Sequence, residues 1–310
     1  MNDYDPPSLT HRIAAEESGI RLSTLLNRTM GISWSAIKAA KWTGRILVNG
    51  VSTPVNHLLQ PGDVVTFLPE DPAPAYRPIP CPMALNIPYE DEHLLIVSKP
   101  APMATASGSH HPGDALENVL CARVPDHVPY VFRPVNRLDR GTSGFMAVAK
   151  TALMQHQLQQ MLHQDGFIRQ YLAVTEGIPC PPEGIIRMPI VKEDGPSIRR
   201  VIHPEGKMAV TRYETVMTSG SRALVRLQLE TGRTHQIRVH LSYMGCPVCG
   251  DFLYGEELPE LPGRFALHAW LLSLRHPIIG ETLCFTDPLP PALVHLLAKP
   301  VPPLSPTPLP

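Results

Sequence analysis

The sequence predicts an α+β protein assembled from two modules of unequal size. Three observations lead there. Residues 19–68 show helical apolar spacing followed by short strand patterns, and residues 69–83 carry six prolines. Residues 84–298 then intersperse apolar or alternating strand patterns with amphipathic helical ones. A chain of 310 residues buries roughly 70–75% of its unfolded surface, enough for a substantial core.

Each element follows from local pattern. Residues 1–18 are polar and proline-bearing, and are expected to form a loose arm. Leu22, Leu25, Leu26 and Met30 recur at helical spacing and stop at Gly31. A second short helix is expected from Ser33 to about Thr43, carrying Trp34, Ile37 and Lys38. Arg45 to Gly50 should be a strand entering an Asn49-Gly50 turn, because both positions tolerate positive φ. Pro61-Gly62-Asp63 then turns into a strand over Val64–Phe67. The prolines at 69, 72, 74, 78, 80 and 82 mark an extended, semi-rigid linker. In the larger module Leu94–Ser98, Phe167–Val174 and Arg222–Leu229 are expected as strands. Met154, Leu158, Met161 and Leu162 mark a helix face. Thr234 is expected to cap a helix running to Gly245, and residues 292–297 a last short helix. Residues 299–310, with six prolines, should be a disordered tail.

Composition narrows the function classes. No apolar run approaches the ~20 residues of a membrane-spanning helix, and the acidic first twenty residues show no secretory signal. The formal charge is only -1, but its distribution is uneven. Residues 19–68 hold five basic residues against Asp63, and residues 133–240 hold 15 basic against 9 acidic. Two basic regions on a near-neutral chain suit a polyanion held on one face. The six cysteines are scattered; Cys246 and Cys249 form a lone CxxC without a second ligand pair, as expected of reduced thiols in an intracellular protein. No GxGxxG, phosphate loop or GxSxG elbow occurs, and His235 and His240 are five residues apart without a zincin glutamate, so neither cofactor nor metal is expected.

Three segments carry chemistry. In Arg133 to Gly144, Asp139 lies between Arg137 and Arg140 and precedes a Gly-Thr-Ser-Gly turn. Flanking guanidinium groups favour an ionised carboxylate, and Gly141 and Gly144 permit a tight path that exposes it, a combination suited to nucleophilic attack or proton abstraction. A structural ion-pair knot is the other reading. In Leu229 to Leu241, a helix from Thr234 places Arg238 on one face, suited to an oriented carboxylate or phosphate contact, and Gln236 with His240 on another. On the Phe167–Val174 strand, Arg169 and Tyr171 project together, a pair that suits a planar ring or plain half-buried packing.

Taken together these segments resemble the RluA-type pseudouridine synthases. The resemblance rests on Arg137-Leu-Asp-Arg-Gly-Thr-Ser-Gly144, on Arg169-Gln-Tyr171, on Leu229–Leu241 continuing through Gly245 to Gly255, and on Leu267-His268 with His276-Pro277. Residues 19–68 resemble the alpha-L RNA-binding domain of a ribosomal small-subunit protein, on Arg21-Leu22, the basic second helix, Arg45 to Gly50 and Pro61-Gly62-Asp63. The resemblance implies a mixed, mainly antiparallel sheet with a central cleft over 84–298, preceded by a small α/β RNA-binding module. It implies an isomerase that converts uridine to pseudouridine without cofactor or metal, with Asp139 as nucleophile, Tyr171 stacked on uracil and Arg238 paired with Asp139. RNA contacts are expected from Arg137, Arg140, Arg169 and Arg233, and in the first module from Arg21, Lys38, Lys41 and Arg45. The implied partner is structured RNA, large-subunit ribosomal RNA first and transfer RNA second, bound by a cytoplasmic monomer. The competing class is a non-catalytic RNA-binding assembly factor; an aspartate-dependent hydrolase of small substrates is a third. Three positions depart from the family pattern: Asn136 replaces a histidine and cannot titrate, Pro102 replaces a loop glycine, and Arg169 replaces lysine.

Overall fold

The computed structural model describes residues 8–32, 34–69, 76–162 and 166–309, with the side chain of Ser35 also outside the description. The chain divides into two compact units, residues 1–73 with 151–160, and residues 74–150 with 161–310.

In the first unit β1 (Leu9–Arg12), α1 (Leu22–Thr24), α2 (Trp34–Lys41), β2 (Ile46–Val48), β3 (Val51–Ser52) and β4 (Val64–Phe67) follow in order, and the strands form a sheet β1-β4-β2-β3. α1 runs directly into a π-helical segment, Leu25–Thr29, and the apolar face expected there is present: Leu22, Leu25 and Leu26 are fully buried. Asn49 (φ 52°) and Gly50 (φ 80°) make the expected hairpin turn between β2 and β3. The loose arm is a correction. Met1–Pro7 lie outside the described residues, but residues 9–12 pair antiparallel with β4, and buried Ile13 exchanges backbone hydrogen bonds with Gly62 and Asp63. Four residues of half-buried alternation are too short a pattern to register as a strand.

The second unit opens with β5 (Asn86–Glu90), β6 (Leu94–Lys99), α3 (Leu116–Cys121) and β7 (Ser143–Ala149). After α4 (Ala152–Met161), which groups with the first unit and so interrupts the expected continuous 84–298 domain, come β8 (Phe167–Glu176), β9 (Glu183–Lys192), β10 (Arg200–Ile202), β11 (Lys207–Ser219) and β12 (Arg222–Leu229). Then follow α5 (Gln236–Tyr243), β13 (Leu267–Arg275), β14 (Thr282–Thr286) and α6 (Pro291–Val294). Ten strands form one sheet in the order β10-β9-β11-β12-β8-β13-β7-β6-β5, with β14 added to β13. Every pairing is antiparallel except β13 with β7. This is the mixed, mainly antiparallel sheet the resemblance implies. β8 lies in mid-sheet and is buried on both faces, which is why Leu172, Ala173 and Val174 form an unbroken apolar run.

Two further expectations are corrected. Of the proline-rich stretch, residues 70–75 lie outside the description, but 76–83 are no free linker: Arg77 donates to the carbonyls of Val124 and Val128, and Asn118 of α3 donates to the Ile79 carbonyl. The tail is also ordered. Gln170 donates to the Thr307 carbonyl, Arg226 to the Ser305 carbonyl, and the Leu309 N–H donates to Gln228, while Leu309 itself is buried. An extended proline chain needs outside partners for its carbonyls, and β8 and β12 supply them. Because successive strand residues point to opposite faces, Gln170 puts this strap on the face opposite Tyr171. Deleting residues 300–310 is therefore expected to lower stability by about 2 kcal/mol, chiefly from the lost burial of Leu309, with kcat unchanged. Urea melts read beside initial rates check this; a fall in kcat at unchanged stability would contradict it.

Candidate active site

The segment carrying Asp139 approaches β7 as a loop tied down at several points. The Thr105 hydroxyl donates to the Leu138 carbonyl, the Met103 N–H to the Arg140 carbonyl, and the Thr142 N–H to the Asp139 carbonyl. Gly141 is needed here because a Cβ would come within 2.6 Å of the Phe265 ring, and Gly144 (φ 108°) because a Cβ would meet the Ala269 backbone at 2.3 Å. The loop is thus drawn tight against the chain from Phe265 into β13, and the Asp139 side chain remains 27% exposed.

Arg238 projects from α5 towards it. Its Nη1 donates to Asp139 at 3.1 Å, while Nε and Nη2 make a fork with Asp251 at 2.6 and 2.8 Å. The guanidinium is packed between rings, 4.1 Å above Phe265 and 5.0 Å from Tyr254. Arg238 is 2% exposed and Asp251 fully buried, so the bidentate pair fixes the direction of the third N–H. α5 does not start as expected. Thr234 caps nothing; the chain turns through His235 in the left-handed region (φ 59°), and the helix starts at Gln236. The Gln236 side chain instead ties down the turn that precedes the helix, accepting from the Arg233 N–H and the Thr231 hydroxyl and donating to β11 at Val210 and Thr211. His240 meets the same Thr211 hydroxyl, so the expected shared face of Gln236 and His240 is present.

Tyr171 of β8 completes the wall. It is 5% exposed, and burial pushes its phenol pKa up, Arg169 partly offsetting this. Asp139, Tyr171 and Arg238 line one open cleft together with Arg137, Thr142, Arg233 and His235. Arg137 and Arg233 are exposed at this cleft, and Arg233 also borders a groove with Lys192, Arg200 and Lys207. Arg169 is buried on the Tyr171 face of β8, with its Nε unpartnered among the described residues. Arg140 instead lies outward with Nη1 at 3.5 Å from the Gly263 carbonyl. In the first unit Arg21, Lys38 and Lys41 are exposed and Arg45 Nε donates to Thr43. Asn136 does not line the cleft; its amide oxygen accepts from the Ala147 N–H, tying the loop to β7.

Sequence reasoning missed Asp251, Tyr254, Phe265 and Lys99. The first two lie within the quoted 245–255 segment, where an acid and an aromatic three residues apart were the available signal. Lys99 is fully buried behind the loop, with Nζ donating to the carbonyls of Pro100 and Met103 and reaching that of Arg140 at 3.5 Å. Burial pushes its pKa down to about 7 against the pull of Asp139. A depressed folded-state pKa means that between about 7 and 10.5 the unfolded chain holds more protons, so stability contributed here rises with pH. The natural chain should gain on Lys99→Met by up to about 1.4 kcal/mol per pH unit across that window. Urea midpoints at successive pH values check it, and parallel curves would contradict it.

A tethered carboxylate beside a buried aromatic wall, in a cleft lined by Arg137 and Arg233, suits one planar base of a polyanion. Comparison with known proteins agrees. A family model for RNA pseudouridylate synthase matches residues 93–243. The RNA pseudouridine synthase YjbO of Bacillus subtilis, described as uncharacterized, is 37% identical over 277 residues, covering 86% of this chain and 95% of that protein. Ribosomal large subunit pseudouridine synthase D of Vibrio cholerae is 34% identical over 310 residues, covering 93% of each. The solved structure of human RNA pseudouridylate synthase domain containing 1 superposes with a TM-score of 0.58 at 26% identity, covering 72% of this chain and 91% of that one. The chain belongs to the RNA pseudouridylate synthase family. It is an isomerase that forms pseudouridine in structured RNA.

Proposed function

We propose that this enzyme modifies large-subunit ribosomal RNA, with Asp139 as its nucleophile. The observation that carries the site assignment is the Asp139–Arg238–Asp251 chain facing Tyr171 across the cleft. Isomerisation breaks the bond between uracil N1 and the sugar, turns the ring, and joins C5 to the same sugar carbon, moving one proton from C5 to N1. Asp139 supplies the transient covalent bond. Arg238 keeps its carboxylate aimed, and the Tyr171 ring supplies the stacking surface for the extruded base, whose flipping costs a few kcal/mol. With its pKa raised by burial, Tyr171 stays a neutral phenol whose part is the stacking surface rather than a base. Arg137, Arg169 and Arg233, with Arg140 outside them, hold the backbone around the flipped nucleotide.

The ribosomal assignment rests on the relative named above for the large subunit. Mapping pseudouridines in total RNA with and without the gene tests it: loss of a site in large-subunit ribosomal RNA is expected, whereas loss in transfer RNA alone would overturn it. No helix among the described residues is long and apolar enough to cross a membrane, and all six cysteines are free, which supports a cytoplasmic enzyme.

Residues 19–68 serve in this reading as an RNA-positioning module. Lys38 and Lys41 are exposed on α2, and the Lys41 ammonium lies 4.6 Å over the ring of Trp42, itself 78% exposed. Lys38→Ala with Lys41→Ala should weaken RNA binding and reduce the salt slope by about 2, leaving kcat at saturation unchanged. An unaltered slope would contradict this.

A further inference from the structure

Among the cleft residues, His235 stands out on backbone grounds. It is a non-glycine residue held in the left-handed region (φ 59°, ψ 17°), a conformation that costs energy and persists where surrounding contacts impose it. The side chain is 11% exposed, lines the cleft, and places Nε2 4.0 Å from the Asp139 carboxylate. Its other nitrogen, Nδ1, lies 2.8 Å from the Tyr254 hydroxyl. That hydroxyl accepts the Arg200 backbone N–H at 2.8 Å, and among the described residues His235 Nδ1 is the acceptor within reach of its own hydrogen. A donor at Nδ1 puts the hydrogen of a neutral imidazole on Nε2, the nitrogen facing the cleft. Burial pushes the imidazole pKa down, Asp139 opposing it, which favours the neutral ring.

Breaking the bond between N1 and the sugar sends its electron pair into the uracil ring, where the carbonyl oxygens carry the charge. We propose that His235 is a catalytic residue that donates its Nε2–H to a uracil carbonyl oxygen as that bond breaks, with Tyr254 as the positioning residue that holds the hydrogen on Nε2. No proton changes hands; the histidine keeps its hydrogen and the charge on the ring is stabilised. The inference rests on the reading of Asp139 as nucleophile and adds the group on the opposite side of the broken bond. Donors placed at developing oxyanions contribute factors of about 10² to 10³ in kcat.

The test uses the full chain and RNA labelled with tritium at uridine C5. His235→Gly removes the ring at a backbone position that glycine tolerates, and Tyr254→Phe removes only the hydroxyl. His235→Gly should lower kcat by about 10² with KM within about threefold of the natural chain, and added imidazole should restore part of the rate. Tyr254→Phe should lower kcat by a smaller factor, with KM likewise kept. Turnover of His235→Gly within threefold of the natural chain would overturn the proposal. So would a loss that follows KM and does not respond to imidazole. Absence of label release from the natural chain would instead overturn the isomerase reading, and a rate insensitive to Asp139→Asn would overturn the nucleophile assignment, so the three failures are separable.

Discussion

Asp139→Asn is expected to reduce turnover by at least about a thousandfold, because a neutral amide is no nucleophile and removal of a covalent catalyst costs factors of this order. The substitution is nearly isosteric, and the side chain is part-exposed rather than core. An amide oxygen can still accept from Arg238, so the melting midpoint should move by less than about 1 kcal/mol equivalent. RNA affinity should persist, since Arg137, Arg169 and Arg233 are untouched. Label release from uridine C5, a binding isotherm and a urea melt on the same preparation separate these effects. Residual turnover above a tenth of the natural rate would remove Asp139 from the chemistry and leave it as a link in an ion-pair network.

Asp251→Ala should act on both stability and rate. Asp251 is fully buried and takes two of the three hydrogen bonds that orient Arg238. Its loss leaves a buried guanidinium with Asp139 as its remaining carboxylate partner, a situation that costs about 3–5 kcal/mol. Released from its fork, Arg238 no longer presents Nη1 to Asp139 in a fixed direction. A displacement of about 1 Å in such a support costs on the order of a hundredfold in rate. Asp251→Asn keeps the shape and one acceptor, and should fall between the two. If Asp251→Ala melts like the natural chain, the buried pair is not what holds the site.

Much of this site is legible in the sequence because its chemistry sits in short local patterns. Asp139 between two arginines, Arg238 within one helical stretch, and Arg169 with Tyr171 on one strand face are each read from neighbours in sequence, and the fold brings Asp139, Tyr171 and Arg238 to one cleft. Asp251, Phe265 and Lys99 escape that reading because what they hold in place, Arg238, the Gly141 turn and the Arg140 carbonyl, meets them through the fold rather than through neighbouring positions in a pattern. Phe265 matters as the surface against which both Gly141 and Arg238 pack, and Lys99 as an ammonium bound to carbonyls on either side of the loop. The edges of the chain mislead for a related reason. Proline content signals missing backbone donors, and it holds no information on Gln170, Arg226 and Gln228, which anchor the tail from far upstream. Likewise nothing local to Leu9–Arg12 announces that β4 leaves it an edge to pair with.

The claim on which the assignment turns is geometric: a carboxylate at 139 engages a uridine whose base lies against Tyr171. Its most direct test is a crystal structure of the enzyme with RNA bearing 5-fluorouridine at the target position, where fluorine replaces the C5 hydrogen and cannot leave as a proton. The base is expected in the cleft between Asp139 and Tyr171, stacked on the Tyr171 ring, with the Asp139 carboxylate bonded to the nucleoside or within about 3.5 Å of its sugar C1′ or its base. A base seated away from Tyr171, or an Asp139 turned from the nucleotide in a fully occupied complex, would contradict it.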